Sequence, residues 1–172
     1  MDLRYPIGEM HWPPALAPGE RTAALAVLAE TPAKLRAAVA GLDDARLDTP
    51  YRPGGWTVRQ VVHHLPDSHM NSFIRFKLGL TEELPTVGVY NEKAWSELPD
   101  ASGPIEVSLR LLEALHERWV GLLATLDDAA WQRRIDHPEV GVLRLDQLLA
   151  LYEWHSRHHV AHITSLRDRE GW

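Results

Sequence analysis

The chain has 172 residues, 45% of them hydrophobic, and a formal charge of −6 from 18 basic and 24 acidic side chains. That is the size of one domain with enough apolar material for a core, and its scattered basic residues form no stripe that would hold nucleic acid. Cysteine is absent, which excludes disulfides, zinc–thiolate sites and a cysteine nucleophile, so any metal must be held through nitrogen or oxygen.

Residues 1–17 contain Pro6, Pro13 and Pro14 and little periodicity, the pattern of an extended surface arm in front of a single domain spanning 1–172. The start, Met-Asp-Leu-Arg-Tyr-Pro, lacks the basic-then-apolar order of a signal peptide. The longest strictly apolar run, Ala23 to Ala29, falls far short of the ~20 residues that span a bilayer. The expectation is a cytoplasmic protein with no membrane partner.

A first helix is predicted from Pro18, with Leu25, Leu28, Leu35 and Val39 at helical spacing and a stop by Gly41. Asp43 to Leu47 can add a short turn. After the Gly54-Gly55 break, Thr57-Val58-Arg59-Gln60 matches a capping box, with Trp56 and Val61 placed as a hydrophobic staple. A second helix follows from Val58 to about Leu80. Between Thr81 and Gly103 the pattern lapses, leaving room for one short helix from Glu92 to Leu98. Pro104 to about Leu126 is a third long helix, Arg134-Ile135 and Val142-Leu143 can pair as a small hairpin, and Leu145 to Arg169 is the last helix. Four long helices, one long crossover and no strong strand pattern predict an all-α four-helix bundle.

Histidine is the unusual component. Seven of the ten lie in two clusters, His63, His64 and His69 on the second long helix and His155, His158, His159 and His162 on the last. Residues four apart lie within ~40° of one another on a helix face, so His155 with His159, or His158 with His162, can grip one ion. Rotation favours His158 and His162, which flank the small Ala161 and Ser165, whereas His159 shares a stripe with Leu148, Tyr152 and Leu166. On the second long helix, His69 lies near the apolar centre, His64 at its margin and His63 away from it, so His63 is expected to face solvent. His64 shares a polar stripe with Ser68, Asn71 and Arg75. Asp67 and Glu153 are candidate outer partners. A lone histidine on a helix is usually a hydrogen-bonded packing residue. Two clusters on separate helices of a cysteine-free chain shift the balance toward metal binding.

The run Gly54-Gly55-Trp56-Thr57-Val58-Arg59-Gln60-Val61-Val62-His63-His64, continuing through Asp67-Ser68-His69-Met70-Asn71, resembles the YfiT branch of the DinB-like superfamily. So do Tyr5-Pro6-Ile7-Gly8-Glu9, Arg75-Phe76-Lys77-Leu78, Leu115-His116-Glu117-Arg118-Trp119, His137-Pro138 and Trp154-His155-Ser156-Arg157-His158-His159-Val160-Ala161-His162-Ile163. The resemblance implies a four-helix bundle in a homodimer, with one divalent ion per chain held by His64, His158 and His162. It also implies metal-dependent hydrolysis of a small-molecule substrate. Other members of the wider group resemble transferases that join the thiol of bacillithiol to an electrophile. A third alternative is a non-catalytic module whose ion only holds two helices together. Three neutral imidazoles leave a coordination position open, as in catalytic zinc sites, and nickel accepts the same ligands. Arg144 departs from the resemblance, standing where relatives often place a capping threonine, so the last helix is expected to fray at its start.

Overall fold

The structure, a computed structural model, describes residues 2–172. Four long helices build it: α1 (Pro18–Val39), α3 (Val58–Thr81), α5 (Ile105–Leu123) and α7 (Leu145–Glu170). The short α2 (Asp44–Leu47), α4 (Glu92–Ser96) and α6 (Asp128–Trp131) lie in the connections, with a 3-10 turn at Pro99–Ser102. Strands β1 (Arg134–His137) and β2 (Gly141–Arg144) form the expected antiparallel hairpin, in the register Ile135 opposite Leu143. The segment around Thr86 adds a parallel bridge to Asp136, which ties the long α3–α5 connection to β1. Among the described residues, no helix is long and apolar enough to cross a membrane.

Local chemistry sets the helix ends. Thr57 and Gln60 cap α3 reciprocally: Thr57 Oγ1 accepts from the Gln60 N–H at 3.1 Å and Gln60 Oε1 from the Thr57 N–H at 2.9 Å. At the start of α7, Gln147 Oε1 accepts from the Arg144 N–H at 3.0 Å, and the Arg144 guanidinium reaches the buried Asp146 at 2.8 Å. The departure at Arg144 is thus compensated by its neighbours, and α7 begins at Leu145 as expected. Within α1, Pro32 has no N–H to donate, so the carbonyl four residues earlier, that of Leu28, lacks its helical partner.

The main packing partners are α1 with α7 and α5, and α3 with α5 and α7. The apolar interior falls into two clusters. One gathers Leu28, Phe76, Trp119, Leu123, Leu145 and Leu148. The other gathers Leu35, Val58, Val62, Leu65, Leu112 and Ile163. On α3, α5 and α7 the residues between these clusters in sequence include His69, His116, His155 and His159.

Residues 2–17 form no helix or strand and run along α7. Trp154 Nε1 donates to the Gly8 carbonyl, Gln147 Nε2 to that of Pro13, and the Leu16 N–H to Asp146.

Gly79 marks where α3 meets the hairpin and the start of α7. A Cβ there would lie 2.9 Å from both Ile135 Cγ2 and Leu145 Cδ2, two fully buried side chains. Replacing a helical glycine normally stabilises by up to ~1 kcal/mol, but overpacking a filled core costs ~1–3 kcal/mol. Gly79→Val is therefore expected to lower the free energy of urea unfolding by ~1–3 kcal/mol, and an unchanged or raised midpoint would contradict this packing.

Candidate metal centre

The caps on α3 and α7 fix where each helix starts, and hence where its histidines point. His64 and His155 meet across the α3–α7 interface with their Nε2 atoms 3.2 Å apart. His159, one turn along α7, offers a nitrogen such that the ligating atoms of His64, His155 and His159 all lie within 4.8 Å of one another. The tetrahedral edge between two nitrogens bound to zinc at ~2.0–2.1 Å is ~3.3–3.4 Å. The His64–His155 separation is therefore close to that of two ligands on one ion.

The set implied by the resemblance, His64, His158 and His162, is not brought together in the same way. Among the described residues, His158 and His162 instead form a second group with His159. This pair is turned by ~60° around α7 from His155 and His159 and meets different partners. His158 stacks on Trp154 at 4.3 Å between ring centroids, and His162 stacks on Tyr51 at 3.9 Å. The Nε2 of His162 lies 3.0 Å from the Arg4 carbonyl, which can only accept, so this nitrogen carries the proton. The Nδ1 atoms of His158, His159 and His162 are buried without a hydrogen-bond partner.

The remaining candidates have distinct surroundings. His63 is only partly exposed, with both ring nitrogens engaged: its Nε2 donates to the Gly103 carbonyl at 3.1 Å and its Nδ1 accepts from Ser108 Oγ at 2.7 Å. His69 is fully buried, its Nε2 3.1 Å from His155 Nδ1 and its Nδ1 2.6 Å from His116 Nε2. Glu153 pairs with Arg157 at the surface. Asp67 is pushed up to about 6 by burial, with Asp100 adding a smaller push. Arg75 is buried, and its donors go to neutral acceptors, the Gly88 carbonyl at 2.7 Å and the Tyr152 hydroxyl at 3.4 Å.

Burial sets the charge of the imidazoles. It lowers His64 to about 4, aided by His162, and takes His155 and His159 well below their ordinary value, aided by the surrounding histidines. Neutral imidazole is the form that binds metal. Three such nitrogens suit zinc, nickel or copper rather than magnesium or calcium. A cavity of about 780 Å³ reaches the cluster from one side, lined by Tyr5, Arg52, Trp56, Gln60, His155 and His159 among others. A second, of about 580 Å³, is lined by Ser68, Arg75, Tyr90, His137, Tyr152 and His155. His155 and Glu92 border both cavities.

The DinB superfamily model matches residues 27–163. The chain belongs to that superfamily. It is 50% identical over 171 residues to a Bacillus mycoides protein and 51% identical over 171 residues to one from Bacillus cereus, each match covering 99% of both chains. Both relatives bear the name "putative metal-dependent hydrolase". Among solved structures, YfiT from Bacillus subtilis superposes with a TM-score of 0.97 at 53% identity, over 100% of this chain and 99% of that one. It is described as "a probable metal-dependent hydrolase with an unusual four-helix bundle topology". The four-helix bundle protein TT2238 shares the fold, with a TM-score of 0.55 at 20% identity over 88% of this chain and 99% of that one.

Two parts of this arrangement had weak or divided signals in the sequence. His155 and His159 have the same four-residue spacing as His158 and His162, so spacing could not choose between the pairs. His116 is a lone histidine on α5, and no spacing pattern linked it to the clusters on the other helices.

These buried imidazoles predict a pH dependence for the metal-free protein. Burial holds His64 and His116 neutral down to about 4, whereas the ordinary value is 6.5. Between those limits the unfolded chain binds more protons than the folded one, so stability is fully present above pH 6.5 and falls as pH drops toward 4. Urea unfolding at about pH 5 should take up about two protons or more per chain. A midpoint constant from pH 7 to 4.5 would show that the histidines are not held neutral.

Proposed function

We propose that the chain is a metal-dependent hydrolase holding one divalent ion, zinc or nickel, between His64, His155 and His159. The observation that carries this reading is the 3.2 Å approach of the His64 and His155 Nε2 atoms at the edge of a large cavity. The names of relatives about half identical over nearly the whole chain support the activity class. The set His64, His158 and His162 is the competing assignment. Against it stands the His162 Nε2 proton donated to Arg4, which leaves only Nδ1 of that ring free to ligate.

A bound ion supplies a Lewis acid that polarises a substrate carbonyl and acidifies water. The chain's own residues supply the rest. Three uncharged ligands would leave the ion's full positive charge at the site, beside the cavity that His155 and His159 line. Trp56, whose ring centroid lies 4.6 Å from that of His64, covers one side of the cluster and limits solvent there. Arg75 places a buried positive charge, paired with no carboxylate in its hydrogen bonds, beside the second cavity, where an anionic substrate group would be drawn. That feature also suits a thiol transferase acting on an anionic low-molecular-weight thiol such as bacillithiol. The protein would act as a homodimer in the cytoplasm.

Metal analysis of protein prepared without a histidine tag should find about one divalent ion per chain. His64→Ala, His155→Ala and His159→Ala should each abolish tight zinc binding, while His158→Ala and His162→Ala retain it. The opposite pattern among the α7 variants would establish the competing set. A chelator should abolish turnover of a small ester and amide panel, or of a thiol with a chlorinated or epoxide electrophile, and zinc or nickel should restore it. Metal-bound protein inactive in every arm, with the ion's fourth position taken by a protein ligand, would leave a structural metal module.

A further inference from the structure

The hydrogen bonds leading away from His155 form a chain whose direction is fixed at its far end. The Nδ1 of His116 lies 2.6 Å from the Leu28 carbonyl. A carbonyl cannot donate, so His116 Nδ1 carries the proton and, in a neutral ring, His116 Nε2 carries a lone pair. That lone pair faces His69 Nδ1 at 2.6 Å, which must then be the donor, leaving His69 Nε2 as an acceptor. His69 Nε2 in turn faces His155 Nδ1 at 3.1 Å, so His155 Nδ1 holds the proton and His155 Nε2 is left with a lone pair. That last nitrogen is the one 3.2 Å from His64 Nε2.

The carbonyl that fixes this order is available because of a single residue. In an unbroken helix Leu28 would accept from the N–H at position 32, but that residue is Pro32. The freed acceptor is buried beneath α5, where an unpaired carbonyl would be costly. His116, 1% exposed, satisfies it. The chain thus touches all four long helices: a carbonyl on α1, then one imidazole each on α5, α3 and α7.

We propose that His116 and His69 are positioning residues that lock the His155 imidazole in its Nδ1–H form and orientation, so that its Nε2 lone pair is presented to the metal. This rests on the assignment of His155 as a ligand. Metal-bound histidines commonly donate their other ring N–H to a carboxylate, a carbonyl or water, and losing such a partner typically costs 10–100-fold in metal affinity. Here two imidazoles carry that constraint from a backbone carbonyl on the opposite side of the bundle. Neither residue is among the proposed ligands.

The test has two arms. Long-range proton–nitrogen correlation spectra of 15N-histidine protein, metal-free and near pH 7.5, should show His155, His69 and His116 all protonated on Nδ1 and bare on Nε2. Zinc should then perturb the Nε2 resonances of His64 and His155. In the second arm, zinc affinity is measured by competition with a chelating dye, alongside circular dichroism to verify folding. His69→Leu, which can neither accept nor donate, should weaken binding by about 10–100-fold. His69→Gln, whose amide oxygen can accept from His155 while its NH₂ donates to His116, should stay within a few-fold of the parent. A protonated Nε2 on any of the three rings, or folded His69→Leu binding zinc as tightly as the parent, would overturn the chain with the ligand assignment intact. Zinc perturbing His158 and His162 but not His155 would overturn the ligand assignment itself. The wild-type spectra decide the proton order even if the leucine variant fails to fold.

Discussion

The interior of this bundle must hold a group of imidazoles without holding their charge. His69 and His116 are almost completely buried, and His64, His158, His159 and His162 nearly so, with no carboxylate in any of their hydrogen bonds. An isolated charge at such depth would cost many kcal/mol, so the rings stay neutral, and those that are hydrogen-bonded use one another or a backbone carbonyl. A neutral imidazole has one donor and one acceptor, and this sets how the rings can be arranged. The apolar clusters lie on either side of the histidine layer, so solvent reaches it only from the cavities.

Much of the architecture was legible because its determinants are local. Thr57 and Gln60 mark the start of α3, Pro18 opens α1, and the apolar spacing on α5 gives its buried face. The hairpin followed from Arg134-Ile135 and Val142-Leu143 flanking Pro138 and Gly141. The concentration of histidine on two helices was also plain, and it pointed to metal before any geometry was known. Which pair on α7 lies beside His64 was less accessible because it depends on how that helix is rotated in the bundle. That rotation is held by partners far away in sequence: Tyr51 against His162, and the Arg4 carbonyl on its Nε2. Tyr152 looked like a bulky neighbour that would crowd a site beside His159. In the structure its hydroxyl donates to the Ser68 carbonyl and its ring stands edge-on to that of His69, so it borders the site without filling it. His63 was misjudged for a related reason, since its partners Ser108 and Gly103 come from the third long helix and the turn before it.

The two cavities give the site an asymmetry that three equivalent ligands alone would not. The larger is bordered by aromatic rings, Arg52 and the N-terminal segment, the smaller by Arg75, His137 and Tyr152. His155 lies on the boundary of both, and Glu92, whose carboxyl is raised by partial desolvation and by Glu139, borders both as well. A substrate spanning them would lie across His155, whose ring is hydrogen-bonded to His69 on one side and faces His64 on the other. Variation in the α3–α5 connection, which supplies Tyr90, Glu92 and Lys93, can therefore reshape the pocket without disturbing the four-helix frame.

The placement of α7 also bears on when the protein becomes complete as it is synthesised. His64 and His155 are 91 positions apart, and the Arg4 carbonyl must wait 158 positions for His162. Chains emerge N-terminus first, so α1, α3 and α5 leave the ribosome before the helix that closes the histidine layer. Until α7 arrives, His69 lacks the ring that donates to it, and the polar centre between the two apolar clusters remains open to water. Contacts so distant in sequence are slow to form because the intervening chain must first be ordered. Closure of the bundle and assembly of the cluster are consequently one late event, and a ribosome-bound chain that ends before residue 155 lacks all four histidines that α7 brings to it.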